Sequence, residues 1–162
     1  LPYYANVNKS GVSPLRFKNL FVKWSLVITN LFFRRLQSFF SDIPYELARE
    51  LKLHYQNVLY IVCKLVGFYV KAEYHTSEGR VDMVLQTDKF IYIMEFKLNG
   101  TAEEALRQIE DKHYARPFAT DSRKLFKIGV NFSAETRNIE KWLVENLDAS
   151  EMDIKHSFLM FS

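Results

Sequence analysis

Two charges close an otherwise apolar run, Phe90 to Leu98 (FIYIMEFKL). Period-two alternation puts Phe90, Tyr92, Met94 and Phe96 on one face of such a strand and Ile91, Ile93, Glu95 and Lys97 on the other. A strand apolar on both faces belongs in the middle of a sheet, where an unpaired carboxylate or ammonium costs several kcal/mol or shifts its pKa. Glu95 and Lys97 therefore need a compensating partner. Asp82, inside the preceding run Arg80-Val81-Asp82-Met83-Val84-Leu85, is another charge among apolar residues, and two adjacent short strands bring it beside Glu95. Two carboxylates that close repel each other unless a proton or a cation lies between them. Oxygen-only ligation suits magnesium or manganese rather than zinc. A lysine two residues beyond the second carboxylate points to the same side, where it can orient an attacking water and stabilise charge building on a phosphoryl oxygen.

The plainer alternative is that Glu95 and Lys97 sit at the strand's exit and pair with each other or with a helix. An E-x-K string alone carries little information, since roughly one chain in two of this length holds one by chance. Glu110-Asp111-Lys112 is a second copy in the same chain. On a helix, residues two apart point away from each other, so that copy builds no convergent site.

The elements that position these residues follow from pattern. Asp42 and Pro44 mark a helix start, and Leu47, Leu51, Tyr55, Val58, Val62 and Leu65 recur at three- and four-residue steps until Gly67, predicting a helix from Tyr45 to Val66. Three strands follow, Phe68 to His75, Arg80 to Gln86 and Phe90 to Leu98, as an antiparallel meander with polar turns at Ser77-Glu78-Gly79 and Thr87-Asp88-Lys89. Thr101 with Glu104 is a capping box opening a helix to about Tyr114, before Pro117. Lys124 to Phe132 reads as a fourth strand. Ile139, Trp142, Leu143 and Leu147 suit either a terminal helix or an edge strand. The order predicts an α/β fold, helices around a mixed sheet.

Composition sets the frame. With 162 residues, 48% of them hydrophobic and 15% aromatic, the chain can bury one sizeable core and is not a disordered segment. The net charge of +3 is too small to indicate nucleic-acid binding by itself. Its distribution is uneven: residues 1 to 41 hold six Lys or Arg and no Asp or Glu. Residues 1–40 are therefore set apart as a basic, apolar segment, and 41–162 are read as the domain proper. Residues 15 to 40 show no clean periodicity. The single Cys63 forms no internal disulfide, no zinc-type Cys/His spacing occurs, and the expected location is cytoplasmic. The apolar stretch Leu20 to Phe33 contains Lys23 and Asn30 and is too short to span a bilayer. The start LPYYANVNKSG is not a secretory signal, and a chain without an initiating Met is expected to be a fragment. There is no G-x-x-x-x-G-K-[ST] loop for ATP.

The stretch GRVDMVLQTDKFIYIMEFKLNGTAEEALRQIEDKHYARPF resembles the PD-(D/E)XK nuclease superfamily, whose restriction-endonuclease-like core is helix, three antiparallel strands, helix, strand. Asp82 takes the place of its first acidic residue and Glu95-Phe96-Lys97 that of its E-x-K. The chain is similar in particular to the branch found C-terminal to an AAA-ATPase-like domain in bacterial proteins of unassigned role, from about Phe40 to Glu145. The resemblance implies that Asp82, Glu95 and the backbone carbonyl of Phe96 ligate magnesium, with manganese as an alternative, and that Lys97 serves the attacking water. It gives Gln108 a place beside the site, followed by Tyr114, and makes Glu50 and His54, four apart on the first helix, candidate accessory residues. Gln108 can equally be an exposed helix residue, and Glu50 and His54 a solvated glutamate and a boundary histidine.

Two readings result. One is metal-dependent hydrolysis of nucleic acid, DNA in the first instance. The other is a non-catalytic module of the same fold that binds nucleic acid or a partner ATPase-like domain. The basic first 41 residues are compatible with phosphate contact in either.

Overall fold

The computed structural model describes residues 14–43, 51–65 and 68–147. The elements run α1 (Pro14–Ser41), α2 (Leu51–Leu65), β1 (Tyr69–Thr76), β2 (Gly79–Gln86), β3 (Phe90–Leu98), α3 (Ala102–Asp111), a 3-10 turn (Arg116–Phe118), β4 (Lys124–Ser133) and β5 (Asn138–Asn146). Five strands form one sheet in the order β1-β2-β3-β4-β5. Strands β3 and β4 are parallel, joined through α3, and the other neighbours are antiparallel. This is the mixed, helix-flanked α/β sheet expected, and the open choice for Ile139 to Leu147 resolves as an edge strand.

Strand β3 lies in the middle because it is apolar on both faces, and it divides the core in two. Met94 and Phe96 join Met83, Leu85, Tyr55, Leu59 and Phe132 on the α2 side. Ile91 and Ile93 join Val84, Leu106 and Ile109 on the α3 side. The α3 helix opens with the capping box expected: the Glu104 N–H donates to Thr101 Oγ1 at 3.0 Å, and the Thr101 N–H donates to Glu104 Oε2 at 2.9 Å. It ends at Asp111, three residues before the predicted Tyr114, because His113 turns into the left-handed region at φ 48°.

The α3 helix rests unusually close to the sheet. A Cβ on Gly129 would lie 2.2 Å from the Ala102 carbonyl and 2.9 Å from the Leu106 nitrogen. Gly129 pairs with Glu95 across β3 and β4, so the missing side chain brings α3 down beside the buried glutamate.

Residues 15 to 40, which show no obvious period, form most of α1. Among its described side chains Ser25, Thr29, Phe33, Leu36 and Phe40 are buried, a stripe at steps of four and three that two polar residues hide. Phe33 stacks on Trp142 of β5 at 5.4 Å between ring centroids. Gln37 Nε2 donates to the Ile139 carbonyl at 2.8 Å, and Ser25 Oγ lies 2.7 Å from Tyr92 Oη. The C-terminal half of α1 thus shares the core of the strands that follow. In α2 the buried face is Tyr55, Gln56, Leu59 and Cys63, whereas Leu65, counted in the predicted apolar stripe, is 82% exposed. The start of that predicted helix, Tyr45 to Glu50, and its last residue, Val66, lie outside the described residues. No helix among the described residues is long and apolar enough to cross a membrane.

Two substitutions test this packing. Gly129→Ala forces backbone apart and is expected to cost about 1–3 kcal/mol, read as a lower urea midpoint. Phe33→Ala removes the ring that ties α1 to β5 and is expected to cost about 3–5 kcal/mol if α1 is part of the cooperative core. An unchanged midpoint would mean that α1 unfolds independently.

Candidate metal and catalytic site

The site forms where two strands part. Pairing between β2 and β3 runs from Gln86 opposite Ile91 to Met83 opposite Met94 and stops there. The next position in that register would set Asp82 against Glu95, and residues directly opposite in an antiparallel pair project their side chains to one face. The carboxylates converge for that reason. In place of a ladder bond, the Phe96 N–H donates to Asp82 Oδ2 at 2.9 Å. The break also shows on the other side of β2, where Asp82 has no partner in the β1 register and Glu73 of β1 adopts φ 52°. Val81 and Val84 then face the same core cluster. A residue's N–H and C=O leave a strand on the same side, so the Phe96 carbonyl also points towards the gap that β2 vacates.

Glu95 is only 1% exposed, and its carboxyl is hydrogen-bonded to Asp82 and to the Gln108 amide. Burial, together with the hydrogen bond and the negative charge of Asp82, pushes it up to about 9, against the smaller opposing pull of Lys52 and Lys97. Burial acts on Asp82 in the same sense, but the proton donated by Glu95, the Phe96 N–H and the Lys52 ammonium outweigh it and hold Asp82 below its ordinary value. The pair therefore carries one proton near neutrality, on Glu95, and one negative charge, on Asp82.

Gln108 of α3 links the acid to the lysine. Its Nε2 donates to Glu95 Oε1 at 2.9 Å, and its Oε1 accepts from Lys97 Nζ. An amide suits this place because it donates at one end and accepts at the other. The structure thus brings Asp82, Glu95, Lys97 and Gln108 together. Tyr114 lies further along, its hydroxyl donating to the Arg80 carbonyl at 3.0 Å, so it braces the part of β2 that has left β3 and does not touch the carboxylates. Glu50 lies outside the described residues. His54 is not joined to the cluster by any hydrogen bond, and its Nε2 is buried without a partner.

Sequence reasoning passed over two residues of α2. Lys52 Nζ lies 3.1 Å from Asp82 Oδ2, and Gln56 Nε2 donates to the Asp82 carbonyl at 2.9 Å. They are four apart on one helix face, whereas His54, two residues from each, points about 200° away around the helix. Their signal was the position of Gln56 next to Tyr55 and one turn before Leu59 and Tyr60, on the face that packs on the sheet.

Among the described residues no group of three or more His, Cys, Asp or Glu is placed to hold a metal ion. Two carboxylates and a main-chain carbonyl nevertheless match magnesium, which takes one or two carboxylates and keeps several waters. The Lys52 ammonium lies where such a cation would neutralise Asp82.

The electrostatics sets a pH dependence. Glu95 has a folded value near 9 against an ordinary 4.5, so its contribution to stability is complete below about pH 4.5 and is lost as pH rises towards 9. Asp82, shifted downward, contributes in the opposite sense and only in the acid range. Metal-free protein is expected to lose stability between about pH 5 and 9, and Glu95→Gln to flatten that slope. Parallel urea titrations of both proteins would decide it, and equal slopes would remove the buried proton from the account.

The sequence profile of the PD-(D/E)XK nuclease superfamily matches residues 52–142, more than half of the chain, a span that contains Lys52, Asp82, Glu95, Lys97 and Gln108. The chain is also 32% identical over 117 residues to an uncharacterized protein in the vnfD 5' region of Azotobacter chroococcum mcd 1. That match covers 68% of this chain and 23% of the relative, so the chain spans about a quarter of that protein's length. No solved structure matches the chain significantly. A mixed sheet with an acidic pair at a strand divergence, an E-x-K on its central strand and this profile match together show that the chain belongs to the PD-(D/E)XK nuclease superfamily.

Proposed function

We propose that the chain hydrolyses phosphodiester bonds in nucleic acid, DNA in the first instance, using a divalent cation at Asp82 and Glu95. The observation that carries this reading is the convergence of Asp82 and the buried Glu95 where the β2–β3 ladder ends, with Gln108 joining Glu95 to the ammonium two residues further along the same face of β3. A fold with no use for a cation there would avoid the cost of burying two carboxylates.

Asp82, Glu95 and the Phe96 carbonyl would hold magnesium or manganese. The ion would supply Lewis-acid stabilisation of phosphoryl charge and a more acidic water. Asp82 anchors the ligand set through the Phe96 N–H. Lys97 orients the attacking water and stabilises charge on the phosphoryl oxygen as it builds. Gln108 keeps Lys97 and Glu95 in fixed relation. Lys52, 45% exposed, is free to leave Asp82 and meet a phosphate once a metal takes its place.

A second reading has its own support. Val27, Ile28 and Leu31 of α1 are each more than half exposed, an apolar face suited to a partner such as an upstream ATPase-like domain. In that reading the fold is a non-catalytic module for nucleic acid or for the ATPase-like domain, and the acidic pair is structural.

The roles separate in a four-variant comparison. Asp82→Asn or Glu95→Gln should abolish magnesium binding and lower cleavage at least about 100-fold. Lys97→Ala should bind magnesium as well as wild type or better, while cleavage falls about 100- to 1,000-fold. Lys52→Met removes a competing cation and should tighten magnesium binding several-fold. Calorimetric titration beside a cleavage assay on single- and double-stranded DNA reads all four. A wild-type chain that binds no divalent ion and cuts neither substrate would favour the non-catalytic module.

A further inference from the structure

Beside the acidic pair, the outer edge of the sheet carries an alternation of aromatic rings and ammonium groups. Lys64 of α2 sits over the rings of Tyr60 and Tyr69, at 5.6 and 5.7 Å from their centroids. Lys71 of β1 sits over Tyr69 and Tyr74, at 5.8 and 5.3 Å. The series Tyr60, Lys64, Tyr69, Lys71, Tyr74 spans two elements, and β1 is an edge strand. An open groove of about 580 Å³ runs along it, lined by Tyr60, Val70, Ala72, Glu73 and His75 as well as Lys71 and Tyr74.

Helix α2 and strand β1 connect this edge with the candidate site through their residue spacing and register. Lys52, Gln56, Tyr60 and Lys64 follow one another at four-residue steps along α2. The first two hold Asp82, and the last two belong to the aromatic series. On β1, Ala72 pairs with Met83, the neighbour of Asp82. The one carboxylate lining the groove, Glu73, is paired with Arg80 at 3.4 Å, which leaves the lysines to set the local charge.

We infer that this α2–β1 edge is a track for single-stranded nucleic acid, delivering its backbone to Asp82 and Glu95. Lysines neutralise phosphates, and exposed rings stack on unpaired bases whatever their identity. A duplex keeps its bases stacked inside and offers such rings nothing but phosphate. Tyr69, 54% exposed with an ammonium on each side, is the central stacking position. The competing role for lysines on an edge strand is to block pairing with another chain's edge. That role calls for charge alone and gives no reason for the exposed Tyr69 ring between the two ammonium groups; Tyr60 and Tyr74, each packed in part against the core, flank it. The inference rests on the nuclease reading for its direction, though the track itself requires only binding.

The test uses the full chain carrying Asp82→Asn, so that binding is measured without cleavage, with fluorescent oligo-dT, oligo-rU and a duplex of the same length. The single strands should bind more tightly than the duplex and quench tyrosine fluorescence. Lys64→Gln with Lys71→Gln should lower the slope of log affinity against log salt by about 1.4, near 0.7 per phosphate contact. Tyr69→Leu should weaken single-strand binding about tenfold or more and remove much of the quenching, while magnesium affinity measured in the otherwise wild-type chain stays unchanged. Preference for oligo-dT or oligo-rU tells a DNA strand from an RNA strand as the better ligand.

The track is overturned by equal affinity in these variants, by preference for duplex, or by the absence of single-strand binding. Self-association of the lysine variant with no change in oligonucleotide binding would likewise assign the lysines to edge protection. Failure of the nuclease reading looks different. The wild-type chain would then bind oligo-dT through Tyr69 and the lysines yet leave it uncut in magnesium.

Discussion

A carboxyl group buried in the central strand is the constraint that the surrounding structure answers. Glu95 could not remain there as a lone anion, and each nearby element supplies something that makes it tolerable. Strand β2 contributes the carboxylate that accepts its proton, α3 contributes the Gln108 amide, and α2 contributes the ammonium that balances Asp82. Three elements are thereby tied to one acidic pair. Their geometry is specified more sharply than apolar packing alone would require, since each polar partner must arrive within hydrogen-bond distance.

Closeness is achieved by omission as much as by contact. Gly129 has no side chain, so α3 can sit on β4 opposite Glu95. The β2–β3 ladder lacks its next rung, so Asp82 can turn its carboxylate to the Phe96 N–H. Tyr114 then braces the strand where it would otherwise be loosely held. Regular pairing continued to Asp82 would have left no gap for the Phe96 carbonyl to face.

Much of this was legible in the chain because the informative residues contradict their surroundings. Glu95, Lys97 and Asp82 stand out as charges inside apolar strands, and Thr101 with Glu104 announces a helix by local chemistry alone. What stayed hidden was spread over sequence-distant contacts. Lys52 and Gln56 resemble ordinary polar helix residues, and only the rotation of α2 about Tyr55, Leu59 and Cys63 turns them to Asp82. The apolar stripe read from Leu47 to Leu65 is rotated from the face that packs, Tyr55, Leu59 and Cys63, and the resemblance pointed to His54 rather than to Lys52 or Gln56. In α1 the buried Ser25 and Thr29 broke a pattern that Phe33, Leu36 and Phe40 complete. Their burial is satisfied by Tyr92 and by the helix's own backbone, neither of which a periodicity search sees.

The parallel pairing of β3 with β4 also bears on how the protein comes into being. Phe90 aligns with Lys124, and Lys52 reaches Asp82 across a separation of 30 residues. Contacts so distant along the chain form late, after local turns and helices, because loop closure must precede them. A nascent chain that has made the β2–β3 hairpin can already hold the two carboxylates near each other, but Gln108 is fixed over them only after β4 has docked beneath α3. The acid–amide–lysine linkage is therefore a late product of folding. Incomplete or misfolded copies would lack that linkage and leave the Glu95 carboxyl without its amide partner.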